Sequence, residues 1–152
     1  MKIIFFFTGA YEYLMKKASG SDIDVSRLFI YYNARAHEND SGYIADTGCS
    51  MTDGIETLQR YGVCLESTWP YDIENVNRCP DRRSYQAADD FKITEALRVD
   101  TDLYQMRSCL AQGFPFAFGL KLFTSFDKAS RSGIVPMPDG YEQGRESHGR
   151  SV

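Results

Sequence analysis

The chain has 152 residues, with 17 Lys and Arg against 21 Asp and Glu and a formal charge of −4. That length allows one domain with a real core, and 43% hydrophobic with 14% aromatic content is a globular composition. A mildly acidic balance without a basic tract argues against nucleic acid or an anionic membrane surface as partner.

Met1 to Phe7 carry an apolar run of five residues, Ile3 to Phe7. A secretory leader needs about 7–15 apolar residues, and no run approaches the roughly 20 of a membrane span. The compartment is left open. Phe7, Ala10, Tyr11, Leu14 and Ala18 recur at helical spacing and predict a first helix from about Thr8 to Ala18, ending before Gly20. Ser26 caps a second helix running to about Ala36, with Leu28, Phe29 and Tyr32 on its apolar face. The polar stretch from His37 to Thr47 reads as a loop. A third helix is expected from about Thr52, its cap, to Tyr61, stopped by Gly62.

Val63 to Ala88 reads as loop, punctuated by Trp69-Pro70-Tyr71 and Cys79-Pro80-Asp81. Phe91 to Val99 reads as a strand. Asp100 or Thr101 caps a fourth helix carrying Leu103, Met106 and Leu110 and closed by Gly113. Phe114 to Leu122 is short, aromatic-rich and bounded by Gly113 and Thr124, which predicts a strand. Pro115 confines it to a first or edge position. Ile134 to Pro138 is extended, and Asp139 to Val152 is polar and carries no signal of its own. Helices first and strands afterwards predict an α+β fold: a helical region over 1–88 and an incomplete antiparallel sheet or barrel over 89–152, folding as one unit.

The four cysteines, Cys49, Cys64, Cys79 and Cys109, form no C-x-x-C pair, and His37 and His148 are the only histidines. A structural zinc site is not expected, nor is any cofactor. One or two disulfides, with Cys64–Cys79 the first pair to test, and four half-buried free thiols both remain open.

Several stretches resemble one family in the right order. Ala10-Tyr11-Glu12-Tyr13-Leu14 is similar to the later turns of the nucleophile helix of papain-like cysteine peptidases. Asp46-Thr47-Gly48-Cys49-Ser50-Met51-Thr52-Asp53-Gly54, then Leu58-Gln59-Arg60-Tyr61-Gly62-Val63-Cys64 and Trp69-Pro70-Tyr71, resembles the segment that follows it. Leu103 to Gly119 resembles the helix and strand opening the barrel half of microbial members. Gly133-Ile134-Val135-Pro136 resembles the strand approaching the catalytic histidine. Each piece alone is an ordinary helix or strand; the ordered set is what that reading leaves unexplained.

The resemblance implies peptide-bond hydrolysis by a cysteine thiolate at a helix N-terminus, where the helix dipole and a nearby imidazolium lower the thiol pKa. The histidine then protonates the leaving amine. Counting back along the family pattern puts Lys2 at the nucleophile position and Ser151 where the histidine belongs, with no Asn-Ser-Trp-Gly segment after it. His148 and His37 lie in polar contexts and read as solvated loop histidines. Cys109 reads as a packed thiol, and Cys49 precedes a helix with no histidine nearby in sequence.

The expectation is therefore a central fragment with no catalytic residues of its own, as a truncated product, a splice form or a misread gene. By resemblance Ser50 and Met51 border the groove that takes a peptide or protein substrate, and exposed strand edges favour self-association. A peptide- or protein-binding pseudo-peptidase is the alternative. An unrelated small enzyme using Cys49 or Cys109 is a third.

Overall fold

A computed structural model describes residues 2–37, 44–120 and 122–141 of the chain. The chain divides into two units, Met1–Ala117 and Phe118–Val152. The first contains helices α1 (Lys2–Ser19), α2 (Arg27–Ala36), α3 (Met51–Arg60), α4 (Arg82–Ala88) and α5 (Leu103–Ala111). The second contains a 3-10 turn at Thr124–Lys128 and the short helix α6 (Ala129–Ser132), which ends at Gly133 with φ +70°.

α1 starts earlier than its periodicity suggested. The apolar run supplies its first turns: Ile4 and Phe7 are buried and continue through Thr8 to Tyr11 on one face. These residues meet Ile30 and Tyr31 of α2 and Leu58 of α3, together with Val25 and Val63, in the main core. α2 is the central element. Leu28, Phe29, Ile30, Tyr31, Asn33, Ala34 and Arg35 are all buried, so both its sides face protein. Ser26 caps it as expected: its Oγ accepts from the Phe29 N–H at 3.1 Å and donates to the Trp69 carbonyl. Burying a Phe or Leu side chain is worth about 1.5–3 kcal/mol. With Phe29, Ile30 and Leu28 at or below 1% exposure, α2 anchors the unit.

The third helix is capped two residues earlier than expected. Ser50, not Thr52, is the N-cap; its Oγ accepts from the Asp53 N–H at 3.1 Å, and the Asp53 carboxylate returns a bond to the Ser50 N–H at 2.8 Å. This reciprocal pair satisfies two otherwise orphan donors. Gly62 stops α3 at φ +73°, as the sequence indicated. A Cβ there would lie 2.1 Å from the Ala88 carbonyl oxygen, so glycine is needed for space as well as for backbone. α5 is capped by Asp102, which accepts from the Gln105 N–H at 3.0 Å. None of its residues is buried.

α4 lies inside the stretch read as loop. Asp81 starts it, accepting from both the N–H and the hydroxyl of Ser84 at 2.8 Å. Seven residues are too few to show a helical period clearly, and the helix is held by packing: Ala88 is buried with Phe29 and Cys64, and Tyr85 meets Phe29 edge-on at 5.1 Å.

The expected α+β architecture is corrected. Among the described residues there is no strand and no sheet, only a single antiparallel bridge between Val25 and Leu65. The stretch read as a first strand turns instead into the end of α3, where the Ile93 N–H donates to the Leu58 carbonyl at 3.2 Å. The described residues of Phe114–Leu122 form no ladder. A strand pattern makes a strand only beside a partner of matching length, and Pro115 removes one of its donors. The described fold is helical, and the antiparallel half foreseen over 89–152 is absent among the described residues.

Candidate functional site

The turn entering α3 is where the groove-lining candidates sit. Its described residues before α3, 44–50, form no helix, and their polar groups find partners on α2. Tyr31 and Arg35 lie one helical turn apart and share a face. The Tyr31 hydroxyl donates to Asp46 Oδ1 and accepts from the Gly48 N–H at 3.1 Å. Burial and the Asp46 carboxylate push its pKa up to about 12, so it stays a neutral phenol. The Arg35 guanidinium stacks 4.0 Å over the Tyr31 ring. It donates to the Ala45 carbonyl at 2.8 Å, Asn77 Oδ1 at 2.7 Å and the Val76 carbonyl. A buried guanidinium is tolerated only when its donors are satisfied, and these bonds join the loop before α3 to the loop before α4.

Beside this arrangement an open polar recess of about 300 Å³ is lined by Arg35, Thr47, Gly48, Cys49 and Asp53, among others. Gly48 takes φ +90° with open space where a Cβ would be. Cys49 is half-buried and packs against the main core. Burial pushes its thiol up, Asp53 adds to this, and Arg35 pulls the other way. The balance favours the thiol over the thiolate, the opposite of an activated nucleophile.

With this geometry in view, the chain can be set beside known proteins. No protein-family profile matches it. An uncharacterized peptidase C1-like protein of Acanthamoeba polyphaga mimivirus is 37% identical over 128 residues, covering 78% of this chain and 40% of the viral protein. The crystal structure of xylellain, a cysteine protease from Xylella fastidiosa, superposes with a TM-score of 0.74 at 30% identity, over 91% of this chain and 56% of xylellain. Both likenesses support a papain-like cysteine peptidase family for this chain. It spans less than two thirds of either relative.

Within the described residues the sequence candidates fall as follows. Lys2, at the nucleophile position by resemblance, opens α1, and α1 contains no cysteine. His148 and Ser151 lie outside the described residues. His37 follows α2 and lies against Glu56, 3.8 Å away, rather than against a thiol. Cys109 is not packed inside: it is half-exposed on α5 and its thiol reaches the Phe114 carbonyl at 3.5 Å. Cys64 is buried and Cys79 exposed, and all four cysteines are free.

The structure brings Ser50 and Met51 together at the start of α3. Ser50 is exposed with its hydroxyl and N–H spent on Asp53, while Met51 leans against the core. Tyr31, Arg35 and Asp46 were not singled out from the sequence. The available signal was a tyrosine and an arginine four apart on one face of α2.

Proposed function

We propose that these 152 residues form the helical wall of a papain-like peptide groove and do not themselves hydrolyse peptide bonds. The observation that carries this reading is α1, which runs from Lys2 to Ser19 without a cysteine. In the family this helix carries the nucleophile at its N-terminus, where the dipole stabilises a thiolate. Lysine cannot take that role, because the same dipole disfavours an ammonium.

No other thiol compensates. Cys49 stands beside the recess but is held toward its protonated form, and the one histidine of the described residues is paired with a glutamate on α3. Ser50 and Met51 border the groove, the first by its exposed edge and the second by fixing the turn to the core. The partner is an extended peptide or protein segment, bound without being cut.

The test uses fluorescein-labelled unfolded casein. Slower tumbling of the label on mixing, with no release of small fragments over hours, is the expected result. Cleavage that disappears in Cys49→Ser would overturn the proposal in favour of an unrelated thiol chemistry.

A further inference from the structure

We infer that Tyr31 and Arg35 form a latch that positions the Gly48–Met51 turn, so that two α2 side chains decide how the groove wall meets a peptide. This deepens the groove reading and rests on it for its functional half. The latch itself rests on geometry. From Ala45 to Gly48 the loop is fixed at three points, and all three lead to α2: the Ala45 carbonyl to Arg35, the Asp46 carboxylate and the Gly48 N–H to Tyr31.

The two side chains also hold each other. Tyr31 is 1% and Arg35 7% exposed, Arg35 Cζ lies 4.0 Å from the Tyr31 ring centroid, and Arg35 Nε donates to the Tyr31 carbonyl at 3.1 Å. A buried guanidinium that loses a partner pays the desolvation of that N–H, so the fork has few alternative positions. Its remaining contacts, Asn77 and Val76, belong to a different loop. The rigid part is thus α2, and the turn is hung from it.

One consequence concerns binding. The Gly48 N–H is spent on Tyr31 and the Ser50 N–H on Asp53. Neither is available to pair with a peptide strand while the latch is closed, so an incoming strand meets a turn whose shape Tyr31 has set. Opening the latch frees the Gly48 amide and loosens the surface offered to the peptide.

The experiment is Tyr31→Phe in the full chain, which keeps the ring and its stacking and removes only the hydroxyl. Amide exchange followed by nuclear magnetic resonance should show Gly48 exchanging about five- to tenfold faster, the loss of one net hydrogen bond. Ser50, held by Asp53, and the interior amides of α3 should keep their rates. Affinity for fluorescein-labelled unfolded casein should fall several-fold. Tyr11→Phe is the control: it loses a comparable hydroxyl bond, to the Phe91 carbonyl at 3.2 Å, and should move neither readout. An unchanged Gly48 rate in Tyr31→Phe overturns the latch, as does an equal acceleration in Tyr11→Phe, which would mean general loosening. If the unmodified chain binds no casein, the groove reading fails, while the Gly48 rate still decides the latch.

Discussion

Gly54 sits inside α3, where glycine should be a weakness, and its replacement tests how α1 packs on α3. A glycine in a helix interior is less favourable than alanine by about 0.5–1 kcal/mol, so Gly54→Ala should stabilise if nothing else intervened. Phe7 intervenes. A Cβ at Gly54 would lie 2.7 Å from Phe7 Cε2 and 3.0 Å from Cδ2. That ring is buried in the main core, between Ile4 and Tyr11 on the same face of α1, and has no solvent to swing into. Overpacking of this kind costs about 1–3 kcal/mol. The two ranges differ by about 0–2.5 kcal/mol, so Gly54→Ala should lose roughly 1 kcal/mol instead of gaining stability. Gly9 is the control on α1 itself, with nothing within 4 Å of its would-be Cβ. Gly9→Ala should gain the full propensity of about 0.5–1 kcal/mol. Urea unfolding followed by circular dichroism reads both, as midpoint shifts of opposite sign at constant slope. The smaller ring-site residue in Phe7→Leu should relieve the Gly54→Ala penalty in the double variant. Equal stabilisation by Gly9→Ala and Gly54→Ala would refute the reasoning, since Phe7 could not then be seated over Gly54.

Three further outcomes follow from single sites. Gly62→Ala combines a left-handed backbone with a 2.1 Å approach to the Ala88 carbonyl; strain alone costs about 1–3 kcal/mol, so this variant should lower the thermal midpoint more than Gly54→Ala, and an unchanged midpoint would count against the α3–α4 junction. Asp81 is held below its ordinary 3.8 by the Ser84 N–H and hydroxyl; because the folded pKa is the depressed one, its contribution is present above 3.8 and is lost as pH falls through the folded value. The Ser84 amide should therefore lose exchange protection only below about pH 3.8, and Asp81→Asn should remove that pH step. Among the thiols, burial pushes Cys64 up to about 11 while Cys79 is exposed; iodoacetamide at pH 8 should label Cys79 first and Cys64 last by mass spectrometry, and early labelling of Cys64 would contradict its burial.

The parts of the fold that could be read from sequence are those fixed by local chemistry. Ser26 announced α2 because a short hydroxyl before an apolar run has few other uses, and Gly62 announced the end of α3 because its backbone conformation is costly for other residues. The cap of α3 went to Ser50 instead of Thr52 because Asp53 completes a reciprocal pair only with Ser50. The N-terminal run carried a signal that its length hid: two of its apolar residues, Ile4 and Phe7, are core residues of α1.

The strands failed for a tertiary reason. Phe114–Leu122 has a strand's composition, but pairing depends on a neighbour that the segment cannot specify. At the site, Ser50 and Met51 were reached through resemblance, and the structure sets them side by side at the α3 entrance. The Tyr31–Arg35 pair was hard to see because its meaning comes from loop partners 10 to 42 residues away, from Ala45 to Asn77.

The most direct measurement of the central claim is amide exchange of the whole chain with and without unfolded casein, with the casein recovered and sized afterwards. Protection concentrated over 47–51 and the first turn of α3, with the casein intact, is the expected result. Protection elsewhere, none at all, or casein cut into fragments would contradict a groove wall that binds without hydrolysing.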